Sequence, residues 1–162
     1  QCLGTLPEGL AAQKENLLKD RVAVEMKRYY RNDFKRIGRA GRMARYAERI
    51  GKAEMGNLAV ILAAAYLLDI DDLVAARDIL TRLGAREGLV AEVCDIITHH
   101  RSSRTGDSVN FRAVVDADAL ERLEADHKQH PIDADELAAR IERFFLTAAG
   151  RQAARDTLIT SR

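Results

Sequence analysis

Apolar residues recur at three- and four-residue steps along most of this chain, the spacing that lays one face of an α-helix against a core. Residues 10–30 predict a first helix, with Leu17, Leu18, Val22, Val24, Met26 and Tyr29 as its apolar positions. Asn32 or Asp33 can cap a second over residues 33–51, where Phe34, Ile37, Met43, Tyr46, Ala47 and Ile50 repeat at helical steps. Gly56-Asn57 opens a third that runs to about Ile70. Its stretch Leu62-Ala63-Ala64-Ala65-Tyr66-Leu67-Leu68 is apolar almost all round, which predicts a helix inside the protein rather than on its surface.

Asp71-Asp72 then suit the first turn of a helix over residues 73–83, where carboxylates complement the dipole, and Gly84 is a left-handed stop. Residues 86–100 predict the next helix, with Leu89, Val90, Val93, Ile96 and Ile97 inward. Residues 101–107 read as a loop, and an apolar face broken by Asp116 and Asp118 resumes over residues 111–123. Asp133 with Glu136 resembles a capping box before residues 137–145, and a last helix spans residues 147–158 with Gly150 a weak point within it. The pattern predicts an all-α bundle of about seven to eight helices in one domain, residues 10–162, after an irregular lead-in at residues 1–9.

Composition supports that class. The 162 residues include only two prolines and ten glycines, which favours uninterrupted helices, and 47% hydrophobic content suffices for one core. A net charge of +1 gives no global attraction to nucleic acid or an anionic membrane. The longest uncharged apolar run, near residues 59–70, is too short to span a bilayer. The first residues lack the order of a signal peptide, and the absence of an initial methionine leaves residues 1–9 open to trimming. Cys2 and Cys94 could pair, but two cysteines in a chain with this much core read as reduced thiols of a cytoplasmic protein, Cys94 as packing.

A set of motifs in order extends the reading. Glu25-Met26-Lys27-Arg28-Tyr29-Tyr30, Lys35-Arg36-Ile37, Tyr46-Ala47-Glu48-Arg49-Ile50, Ala63-Ala64-Ala65 and Leu67-Leu68-Asp69-Ile70 are followed by Ala76-Arg77-Asp78-Ile79-Leu80 and Leu83-Gly84. Ile96-Ile97-Thr98-His99-His100, Asn110-Phe111-Arg112, Ala117-Asp118-Ala119-Leu120 and Thr147-Ala148-Ala149-Gly150-Arg151 complete the series. Over residues 25–154 this order resembles the bacterial HD-superfamily phosphohydrolases. The resemblance implies an all-helical fold whose core helices present a divalent metal to a phosphate ester, through a histidine on the second helix, a His-Asp pair ending the central helix and a later aspartate.

Carried onto this chain, the first histidine position falls on Arg39, the pair on Leu68-Asp69 and the later aspartate on Asp118. The polar loop that relatives carry after the pair is deleted, since Ile70 runs directly into Asp71-Asp72. A hydrolytic divalent site needs several neutral or anionic donors and one position open to water. Leucine donates nothing, and a guanidinium stays protonated and repels a cation. Two of four implied ligands are thus replaced, which predicts no cofactor and a salt bridge from Arg39 to Asp69, Asp118 or both where the metal would be.

Other readings stay open. An altered ligand set of Asp69, His99, His100 and Asp118 would make an active metal-dependent hydrolase of phosphomonoesters or nucleotides, holding Mn, Fe, Mg, Zn or Ni; otherwise His99 and His100 cap carbonyls or face solvent. Asp116 and Asp118 point about 200° apart on a helix, so Asp118 is expected to face the core and Asp116 to be a first-turn or surface carboxylate. His127 and His130 read as a solvated loop. The basic face Lys35, Arg36, Arg39, Arg42, Arg45 and Arg49 is either a phosphate or RNA footprint or a solvated face pairing with Glu48 and Glu54. Arg101 and Arg104, with Arg39, are candidates to hold a nucleotide or another phosphate-bearing small molecule. The functional expectation is a degenerate phosphohydrolase-like binding or regulatory module, with the active hydrolase and a structural or homo-oligomeric bundle as alternatives.

Overall fold

A computed structural model describes residues 8–102 and 108–159. Among them lie eight α-helices and no strand: α1 Glu8–Tyr30, α2 Phe34–Ala53, α3 Leu58–Leu67, α4 Leu73–Arg82, α5 Glu87–His99, α6 Val109–Gln129, α7 Ala134–Phe144 and α8 Ala148–Leu158. A 3-10 turn, His100–Ser102, follows α5. The architecture is therefore the all-α bundle that the hydrophobic spacing predicts.

Short polar side chains set most of the helix starts by satisfying N–H groups that have no partner within the helix. Asp33 accepts from the Arg36 amide, Asn57 from Ala59 and Val60, Asp72 from Val74 and Ala75, Ser108 from Phe111, and Asp133 from Asp135 and Glu136. Gly84 closes α4 with φ at 84°, a conformation that favours glycine.

Helix α3 is the centre. Ala59 through Ala65 and Leu67 are all buried, as an all-round apolar helix requires. Helices α1, α2, α5 and α6 pack around it, and α2 makes its most extensive contact with α6. The small alanines of α3 let these neighbours approach closely; Met26, Met43, Ile50, Ile61, Leu80, Ile96, Leu120 and Ile141 fill the spaces between. Helix α3 stops at Leu67 rather than Ile70, so Leu68 and Asp69 stand in the tight turn toward α4. No helix among the described residues is long and apolar enough to cross a membrane.

Several inward assignments are corrected. Over residues 17–30 of α1 the buried positions are Val22, Met26 and Tyr30, a clean four-residue repeat, whereas Leu17, Val24 and Tyr29 are exposed. Phe34, the first residue of α2, is also exposed. Helix α6 extends well beyond residues 111–123, since its polar ends continue the same helical ladder.

Candidate functional site

Arg39 projects from the second turn of α2 into the space between the end of α3 and the midpoint of α6. Its Nε donates to Asp69 Oδ2 at 2.8 Å, its Nη2 to Asp118 Oδ1 at 2.5 Å, and its Nη1 to Glu121 Oε1. One planar fork thus meets three carboxylates from two other elements, the use for which a guanidinium is better shaped than an ammonium. The side chains of Asp118 and Glu121 are each only 6% exposed, so these charges are largely withdrawn from water.

Two further cations close the cluster. Arg42, one turn along α2, donates through Nε and Nη2 to Glu121 Oε2 at 3.2 and 3.0 Å. Arg122 of α6 places Nη2 3.1 Å from Asp118 Oδ2. Arg39, Arg42 and Arg122 therefore balance Asp69, Asp118 and Glu121 charge for charge. Burial alone would lower the Arg39 pKa; the hydrogen bond to Asp118 and the charges of Asp69 and Asp118 outweigh it and hold the guanidinium above its ordinary value. Nearby, the buried Tyr30 hydroxyl makes no hydrogen bond among the described residues, and burial, then the Asp69 charge, raises its pKa.

The structure brings Arg39, Asp69 and Asp118 together and leaves the histidines out. His99 turns Nδ1 to the Asp95 carbonyl oxygen at 3.1 Å and lies 3.0 Å from the Asp95 carboxylate. A ring nitrogen of His100 donates to the Ile97 carbonyl at 2.9 Å. Leu68 is buried and apolar. Among the described residues no three His, Cys, Asp or Glu side chains are grouped so as to hold a metal ion. The carboxylates that remain converge on a fixed cation, so the residues present do not fit the divalent site that the resemblance implies.

Glu121 went unrecognised in the sequence. Its signal is the i, i+3 spacing from Asp118, which places both on one face of α6. The basic face of α2 also finds other partners than expected. Glu48 pairs with Lys19 and Lys52, and Glu54 accepts the Ala149 amide at the start of α8. The arginines instead reach Asp69, Asp71, Asp118, Glu121 and Asp156 on other elements. Arg39 is the most withdrawn of them, whereas Lys35, Arg45 and Arg49 are exposed, so the face is solvated in part while several of its arginines also bridge to other elements.

Asp116 is not a surface carboxylate. It is wholly buried, because α6 is covered on both of the faces that its two aspartates occupy. Asp116 Oδ1 accepts the Leu146 amide at 2.9 Å, while Oδ2 accepts the Thr147 amide at 2.9 Å and the Thr147 hydroxyl at 2.6 Å. Thr147 Oγ1 in turn accepts the Gly150 amide, capping α8. Burial raises the Asp116 pKa, and these hydrogen bonds offset that only in part. His127 belongs to α6, where Nδ1 accepts the Ile132 amide at 3.0 Å.

Arg101 is exposed and lines a cavity of about 430 Å³ with His100, Arg122 and Arg140. Arg104 lies outside the described residues. Set against known families and curated proteins, the chain matches no family model and no curated protein.

Proposed function

We propose that this chain is a degenerate HD-superfamily-like domain that does not carry out metal-dependent hydrolysis and serves as a binding or regulatory module. The observation that carries the reading is the Arg39 guanidinium seated on Asp69, Asp118 and Glu121. A hydrolytic centre activates water on an ion with an open position. Here the carboxylates that resemble its ligands are already neutralised by a group that cannot ligate water, lower its pKa or give up its own proton. Among the described residues His99 and His100, the remaining donors for an altered ligand set, are not grouped with Asp69 and Asp118 so as to hold a metal ion.

The test is turnover of p-nitrophenyl phosphate and of nucleoside phosphates with Mn, Fe, Mg, Zn or Ni supplied, alongside metal analysis of the purified protein. The expected result is no stoichiometric metal and no hydrolysis that depends on Asp118. Hydrolysis abolished by Asp118→Ala would replace this reading with that of an active phosphohydrolase.

A further inference from the structure

Helix α7 packs chiefly against α8 rather than along α6, and a groove of about 430 Å³ lies between α6, the end of α7 and the residues that follow α5. Along α6 its lining runs from Val115 to Asp126, about 16 Å at the helical rise per residue. That length suits about five residues of extended chain better than one compact ligand.

The charge of the groove is one-sided. Arg101, Arg122 and Arg140 stand in its wall against a single carboxylate, Asp126. Arg122 Nη2 lies 3.1 Å from Asp118, and Arg140 Nε donates to Glu136 at 2.9 Å. A guanidinium carries several more N–H donors than these contacts use, so both forks can take a further acceptor. Arg101 is exposed. Planar forks of this kind favour carboxylates, which accept paired N–H donors.

Phe144 supplies the apolar end. The two residues at the close of α7 go opposite ways: Phe145 is 4% exposed and packed into the core, whereas Phe144 is 57% exposed at the groove. The Arg143 guanidinium lies 4.8 Å from the Phe144 ring centroid, so a cation and an aromatic face share this rim. Val115 and Ala119, both half-buried, continue the apolar surface along α6. Arginine and exposed aromatic rings together are what protein–protein contacts concentrate.

We infer that this groove binds an acidic peptide segment of a partner protein, its carboxylates on Arg101, Arg122 and Arg140 and one apolar side chain against Phe144, Val115 and Ala119. The inference gives a partner class to the binding role proposed above and rests on that reading. A nucleic-acid strand fits less well, since Asp126 and Glu136 interrupt the cations and one phenylalanine face is a small platform for stacked bases.

The test is selection of a random peptide library displayed on phage against the full chain, followed by fluorescence anisotropy with the most enriched peptide made synthetically. The enriched sequences are expected to carry several Asp or Glu residues around one Phe, Leu or Ile. Arg101→Ala, Arg140→Ala and Phe144→Ser should each weaken that peptide by about tenfold. Their melting temperatures should stay close to the parent's, since none of the three residues is buried. Arg77→Ala, an exposed arginine paired with Glu87 elsewhere, should leave binding intact. Enrichment of neutral or basic sequences, no enrichment at all, binding unchanged in Phe144→Ser or in both arginine variants, or equal competition by polyuridylate RNA overturns the inference. Sedimentation showing a dimer that Phe144→Ser dissolves would assign the groove to a second copy and equally overturn it. None of these readouts depends on hydrolysis, so the proposed lack of turnover is judged separately.

Discussion

Arg39 carries more of this structure than any other single side chain, because removing it strands carboxylates rather than merely deleting a contact. Breaking a buried ion pair by deleting one partner costs about 3–5 kcal/mol. Arg39→Met should therefore lower stability by that order in urea denaturation, and Arg39→Lys should recover only part, since one ammonium cannot span Asp69, Asp118 and Glu121. Asp116 makes the second claim at this scale. An asparagine there keeps one acceptor oxygen where two are used, leaving a buried N–H of Leu146 or Thr147 without a partner. Asp116→Asn should cost about 1–3 kcal/mol by the same measurement.

Tyr46 supplies a pH-dependent check. Its hydroxyl donates to Glu124 Oε1 at 2.5 Å, and burial, then that hydrogen bond, pushes its pKa up to about 12. The folded chain keeps the phenolic proton to a higher pH than the unfolded chain does. This contribution is complete below the ordinary tyrosine value of about 10 and is lost as pH rises through about 12. Tyr46→Phe should be less stable than the parent at neutral pH by no more than about 1 kcal/mol at this part-buried position. The difference should vanish across that alkaline window in urea midpoints, with tyrosinate absorbance recording the missing titration.

Among the elements, the helices were legible because their signals are local. The openings at Asp33, Asn57 and Asp133 and the stop at Gly84 depend on a few neighbouring residues and stand where the sequence puts them, whereas Asp71-Asp72, expected within the first turn of α4, precede it, with Asp72 as its cap. Which face of a helix is buried was legible only where apolar residues leave no choice, as on α3. Helix α1 offers Val24 and Tyr29 as plausibly as Val22 and Met26, and only the position of α3 decides between them. The pairing of Arg39 with Asp69 and Asp118 could be anticipated from the positions that the family resemblance implies, joined to the cost of leaving buried carboxylates without a cation. Glu121 and the true role of Asp116 could not, because both depend on α6 being covered on opposite sides. Gly150 shows the same limit. Read alone it weakens α8, yet a Cβ there would lie 2.2 Å from Asp116 Oδ2. Gly150→Ala should therefore destabilise by at least about 2 kcal/mol despite the better helix propensity of alanine, as thermal melting can show.

For the whole molecule, a net charge of +1 conceals an ordered arrangement in which arginines of α2 tie together the α3–α4 turn, α6 and α8. The account holds that a guanidinium, not a metal ion, neutralises the carboxylates at the centre of that arrangement. The most direct measurement is the melting temperature of the parent and of Arg39→Ala, each with Mn or Mg chloride and with sodium chloride at matched ionic strength. The parent should be indifferent to the divalent ion, whereas Arg39→Ala should melt lower in sodium chloride and regain part of the loss when a divalent cation occupies the freed carboxylates. A parent protein that itself gains stability from a stoichiometric divalent ion, or an Arg39→Ala variant as stable as the parent without one, would contradict the account.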